Sequence, residues 1–152
     1  MNRTILIIVG LACALLTAWG IFWIFEDKEN IDRTAEEPNI CEIILRDQME
    51  LEKKWVTGQT SAYFIQILGN DPSDEFLARF AGHQPPVKKS FQWSQHQGTL
   101  LKAYDLKWLS DKSVEIRGSY YRASLCAGGC TYLIIRKWGR WILKDTYNDW
   151  IS

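Results

Sequence analysis

From Ile5 to Phe25 the chain carries no charged residue. At about 1.5 Å of rise per residue, a helix of that length spans roughly 30 Å, the thickness of a bilayer's hydrocarbon core. A segment this long and apolar either stays in a membrane or is removed while crossing one. A cleaved signal peptide has a shorter apolar stretch, about 7–15 residues, closed by a small-x-small site. Ala12-Cys13-Ala14 and Ala18-Trp19-Gly20 have that shape. Cutting at either would leave an apolar new N-terminus, Leu15 to Phe25 in the first case. A lipoprotein acylated at Cys13 wants a large aliphatic residue three positions earlier, where Gly10 stands. An uncleaved anchor over residues 1–25 is therefore favoured, with the signal peptide and the lipoprotein as its alternatives.

Orientation follows from the flanks. Arg3 and the N-terminal amine lie on one side, and Glu26, Asp27, Lys28 and Glu29 on the other. Positive residues stay on the cytoplasmic side, which predicts a cytoplasmic N-terminus and an extracytoplasmic domain in a single-pass plasma-membrane protein. Lys28 and Arg33 also count, so the bias is small. Trp19, Phe22, Trp23 and Phe25 suit an interfacial aromatic belt. Gly10, Ala14 and Ala18 repeat at a spacing that lets two anchor helices approach as a weak homodimer. Small residues are also simply common in spans, and that reading is preferred.

Residues 26–38 are charged, with Ile31 as the single large aliphatic residue, and read as a solvated tether. Residues 39–152 have the size of one domain. The chain's 18 Lys and Arg balance its 18 Asp and Glu, which leaves no electrostatic argument for nucleic acid. No internal repeat or low-complexity segment interrupts the domain.

Asn39 followed by Glu42 fits a capping box, with Ile40, Ile44, Leu51 and Trp55 recurring at helical spacing behind it. Arg46, Asp47, Glu50 and Lys53 are then turned to water, and Gly58 supplies a stop. Ala62 to Leu68 is short, apolar and aromatic and predicts a strand. Asp71 as cap, Pro72 at the first position and the acidic pair Asp74 and Glu75 predict a short helix from Pro72 to Ala81. The same acidic turn tempts a metal-site reading, which capping explains with fewer assumptions. Pro85-Pro86 forbids helix and leads into an edge strand, Val87 to Trp93.

From Leu100 the pattern turns to hairpins. Tyr104, Leu106 and Trp108 alternate with Asp105 and Lys107 before a turn at Ser110-Asp111-Lys112. Val114, Ile116, Gly118 and Tyr120 alternate with Glu115, Arg117 and Ser119. Thr131 to Trp138 and Trp141 to Tyr147 flank Gly139-Arg140. A type II′ turn with Gly139 at its first central position would set Trp138 and Trp141 face to face. The fold class is α+β: after the transmembrane helix come helix, strand and short helix, then an antiparallel meander of four or five strands.

Several segments carry a resemblance: Asp71-Pro72-Ser73-Asp74-Glu75-Phe76-Leu77, Pro85-Pro86-Val87-Lys88-Lys89-Ser90, Gly118-x-Tyr120-Tyr121, Thr131-Tyr132, Gly139-x-Trp141 and Trp150-Ile151-Ser152. In this order they resemble the pattern of a group of small exported or membrane-anchored bacterial proteins, over about the last two-thirds of the chain. The resemblance implies an envelope location and an α+β domain with a C-terminal antiparallel sheet, and it implies no activity. Two departures stand out: Trp138 where a polar turn residue is expected, and the cysteines of Cys126-Ala127-Gly128-Gly129-Cys130.

Set on either side of an Ala-Gly-Gly loop, Cys126 and Cys130 would lie opposite one another on antiparallel strands, within disulfide reach. Outside the cytoplasm such a pair is expected to bridge. A structural bridge is preferred to redox catalysis, because thioredoxin-type sites use Cys-x-x-Cys at a helix N-terminus. Cys41 is either buried in the first helix or the true partner of one of them. His83 and His96 are the only histidines and lack paired ligand spacing, so neither a metal nor a cofactor is expected. There is no Gly-x-Ser-x-Gly elbow, no phosphate-cradling loop and no His-Glu-x-x-His.

Arg136, Lys137, Arg140 and Lys144 interleave with Trp138 and Trp141, a combination that grips an anionic polymer or lipid headgroup or is simply a solvated sheet face. Tyr120, Tyr121, Arg136, Trp138, Arg140 and Trp141 form the candidate binding surface. Three functions remain. The first is non-catalytic docking of an envelope protein partner, or scaffolding. The second is a small-ligand or enzymatic pocket in a curved sheet, resembling the cone-shaped folds of the nuclear-transport-factor type. A cavity lined by Tyr120, Tyr121, Trp141 and a buried carboxylate would mark it. The third is a thiol-redox protein in which Cys126 and Cys130 cycle.

Overall fold

The structure, a computed structural model, describes residues 31–55, 60–94, 97–123 and 126–151. The apolar run, residues 26–30 of the tether, the Gly58 stop and His96 lie outside the described residues. Among those described, no helix is long and apolar enough to cross a membrane.

The domain is mixed α+β. Its long helix α1, Arg33–Trp55, begins before the expected Asn39. Asp32 is the cap: its Oδ1 accepts from the amides of Thr34 (3.1 Å) and Ala35 (3.3 Å). The second half of the expected tether is therefore helical, and Pro38 lies inside the helix. Two competent caps compete locally, and tertiary contacts favour the earlier one. The added turns carry Arg33 over the Trp108 ring (5.3 Å) and bring Glu36 Oε2 to the indole N–H of Trp141 (2.9 Å). Asn39 instead ties α1 to the second helix, accepting from Arg79 at 2.9 Å. The face α1 buries runs through Ile40, Cys41, Ile44, Leu45 and Met49, and continues into two polar residues, Gln48 and Glu52. Leu51 is only half-buried.

Strand β1 is Tyr63–Ile67. The short helix α2, Asp74–Ala78, is narrower than expected and is capped by Ser73, whose Oγ accepts from Phe76 N at 3.1 Å. Asp71 holds the other side of the loop, accepting from Ser90 Oγ and Phe91 N. Phe76 and Phe80 are the residues α2 and its following turn bury. The edge strand β2 is only Val87–Lys89, because residues Ser90–Gln92 close into a 3₁₀ turn.

The four-stranded meander follows as β3 (Thr99–Ser110), β4 (Ser113–Ala123), β5 (Cys126–Lys137) and β6 (Arg140–Ile151). The whole sheet has six strands in the order β2-β1-β3-β4-β5-β6, with β1 parallel to both β2 and β3. The last hairpin differs from expectation. Trp138 (φ 52°) and Gly139 (φ 72°) are both left-handed, so the pair forms a type I′ turn with Trp138 first. Arg136, not Trp138, pairs with Trp141.

One sheet face lies under α1, where Val114, Ile116, Tyr132 and Ile134 meet Ile40, Ile44 and Leu45. On the opposite face a smaller cluster gathers Ala62, Phe64 and Leu100 with Trp93 and Tyr121.

Candidate functional site

Towards the C-terminal end of α1 the helix and sheet leave a cavity of about 480 Å³. That volume lies within the ordinary range for small-molecule sites. Gln48, Leu51 and Glu52 form its helical wall, with Tyr120 and Arg122 from β4 and Cys130 and Tyr132 from β5 facing them. Trp150 of β6 completes the lining.

The glycines explain the shape. The Tyr120 ring lies so close to Gly128 that a Cβ there would come within 2.8 Å of its carbons. A side chain at Gly129 would meet the Trp150 indole nitrogen at 2.5 Å. Gly118 lets α1 approach, since its Cβ would fall 2.5 Å from Gln48 Nε2. Small residues thus make room for large aromatic ones from neighbouring strands.

The electrostatic centre is a two-point pair. Arg122 Nε donates to Glu52 Oε2 at 2.8 Å and Nη2 to Oε1 at 2.5 Å, while Thr99 Oγ1 donates to Oε2 at 3.1 Å. Glu52 is 3% exposed, and burying a carboxylate is costly unless it is paired and hydrogen-bonded as fully as this one. The hydrogen bonds to Glu52 raise the Arg122 pKa further. The guanidinium also lies 5.2 Å from the Tyr120 ring centre and donates to Cys126 Sγ at 3.4 Å. Burial pushes the phenols of Tyr120 and Tyr132 upward, so both stay neutral near pH 7. The Tyr132 hydroxyl shares hydrogen bonds with the side chains of Gln48 and Cys130. Gln48 Oε1 is buried and finds no donor among the described residues.

The expected site residues divide. Tyr120 is in the cavity wall. Tyr121 points to the opposite face, against the Phe64 cluster and tilted on Trp150 at 6.2 Å. The remaining four gather at the far end of the β5–β6 hairpin: Arg136 stands eight positions beyond Gly128, about 26 Å along an extended strand. There Trp141 sits edge-on to Trp108 (5.5 Å), with Arg136 5.9 Å from its ring centre. Trp138 is 86% exposed with Lys137 over it, and Arg140 pairs with Lys137. The six residues do not form one surface.

The Cys126–Cys130 bridge is corrected. The Ala-Gly-Gly segment is strand, not loop, and both cysteines lie on β5 with no disulfide between them. Four positions of extended chain separate their Cα atoms by about 13 Å, roughly twice what a disulfide spans. The same distance removes the basis for a thiol pair that cycles. Cys41 is buried in α1, and burial with the nearby Glu37 charge pushes its thiol up to about 12. His83 Nδ1 lies 2.8 Å from the Pro85 carbonyl, and among the described residues no three His, Cys, Asp or Glu could hold a metal.

Gln48, Glu52 and Arg122 are the residues that sequence reasoning missed. A signal existed: Ile40, Ile44, Gln48 and Glu52 continue one stripe at four-residue spacing, so polar residues stand where an apolar face should go on. No protein-family model matches the chain, and neither the curated proteins nor the solved structures yield a match.

Proposed function

We propose that the domain binds a small, largely neutral molecule in the cavity between α1 and the sheet, displayed outside the cytoplasm on a membrane anchor. The observation that carries the reading is the convergence of Tyr120, Tyr132 and the self-neutralised Glu52–Arg122 pair on one cavity of about 480 Å³. Charges that cancel within the wall give no net attraction for an ionic ligand. Leu51 and the aromatic rings offer apolar and stacking surface, and the phenols offer hydrogen bonds. Glu52 is fully engaged by Arg122 and Thr99, which argues for binding rather than acid–base chemistry. The anchor and the envelope location rest on the apolar run and its flanking charges, as in the exported bacterial proteins the sequence resembles.

The test uses ¹⁹F spectra of 4-fluorophenol, a neutral aromatic probe, with the full chain. Line broadening is expected with the native chain and should be lost in Leu51→Trp, which fills the cavity from the helix side. Broadening that is absent at millimolar probe, or equal in the variant, removes the proposal. A second reading, docking of an envelope partner, is favoured by the exposed Trp138 at the hairpin tip. Partner capture that survives Leu51→Trp and fails in Trp138→Ser would support it.

A further inference from the structure

The sheet ends on β6, twelve residues long, and among the described residues no strand pairs with its outer edge. An edge about 40 Å long exposes a row of backbone donors and acceptors ready for another strand. The opposite edge is blunted, because β2 has only three residues. β6 also carries apolar groups on an open face. Ile142 is 40% and Tyr147 51% exposed, opposite Ile135 and Thr131 of β5. Those β5 positions point away from Tyr132 and Ile134, which are buried under α1.

We infer that β6 pairs antiparallel with β6 of a second copy of this chain, joining two sheets into one across a twofold axis between Lys144 and Asp145. The register is set by side chains. The β5–β6 ladder shifts register between Leu143 and Asp145, which makes Lys144 an extra residue and leaves Ile142 and Tyr147 on one face; on that axis Lys144 faces the second copy's Asp145 and Ile142 faces its Tyr147. A slip of one position either way sets Lys144 against Lys144 or Asp145 against Asp145, and like charges directly opposite are destabilising. Lysine on an edge strand ordinarily discourages pairing. Here the adjacent aspartate answers it, because twofold symmetry brings each residue to the other. The Ile142 and Tyr147 patches of the two copies then become continuous on the face that α1 leaves open.

Sedimentation of the full chain in density-matched detergent reads the assembly. A mass of two 17.7 kDa chains is expected for the native protein. Lys144→Asp sets a like charge opposite Asp145 and should halve that mass. The double variant Lys144→Asp with Asp145→Lys restores the opposite charges and should restore the dimer. Both positions are exposed, and circular dichroism of each variant should match the native chain. A native chain that stays monomeric at every concentration overturns the inference. So does a dimer that withstands Lys144→Asp and dissolves when Gly10 and Ala14 are replaced by leucine, because pairing then belongs to the anchor.

Discussion

The two ends of α1 rest on the same sheet and are finished in opposite ways. Towards its start the helix meets Val114, Ile116 and Ile134, all fully buried, and is closed over by Trp108 and Trp141. Towards its end β4 and β5 present Gly118, Gly128 and Gly129, and the space stays open, lined by phenols and a buried ion pair. The sheet's side-chain volume therefore decides where the helix seals and where it leaves a cavity. Close packing is a property of the first end and not of the second.

Breaking each end should cost differently. The largest effect is expected from Arg122→Ala, which strands the buried Glu52 carboxylate: about 4 kcal/mol lost at pH 7, read by urea unfolding. Ile116→Ala empties a fully buried site at the sealed end and should cost about 3 kcal/mol in the same assay. Trp141→Phe keeps an aromatic ring, though a smaller one, and removes the indole N–H that donates to Glu36, for a loss of at least about 1 kcal/mol. Leu51→Trp adds bulk at the open end and should change stability by less than about 0.5 kcal/mol, whereas Val114→Leu at the sealed end should cost about 1 kcal/mol or more. Equal costs for those two additions would erase the contrast between the ends.

Alkaline pH sharpens the comparison. Burial raises the folded Tyr132 pKa above the unfolded value of 10.0. Its contribution is fully present below pH 10.0 and is lost as pH rises from there towards the folded value, because only the unfolded chain releases the proton easily. Chemical unfolding between pH 9 and 11 should show stability falling with pH, and Tyr132→Phe should flatten the slope. An unchanged slope would mean that the Tyr132 phenol ionises in place.

Much of the sheet could be read from the residues. The alternation of Val114, Ile116, Gly118 and Tyr120 survives intact as the face under α1, because a meander of neighbouring strands needs little beyond period-two patterning and turns. The parallel pairing of β1 was hidden, since five residues with no adjacent hairpin partner carry no information about direction. Ala127-Gly128-Gly129 read as a loop because the reason for those small residues is not local. Rings from Tyr120 and Trp150 occupy the space their side chains would need. The ion pair was equally remote: Glu52 and Arg122 are 70 positions apart, and only the fold makes them neighbours.

The two polar ties of α1 have one more consequence. Apolar contacts are non-directional and hold a helix in place along its sheet only through the fit of its side chains. Glu36 on Trp141 and Glu52 on Arg122 act as a pair of locating pins, one near each end of the helix. A shift of a single turn, about 5.4 Å, would shear both at once. The cavity beside the second pin therefore keeps a fixed width, and a molecule bound there would have to fit it by size, without the helix moving to meet it.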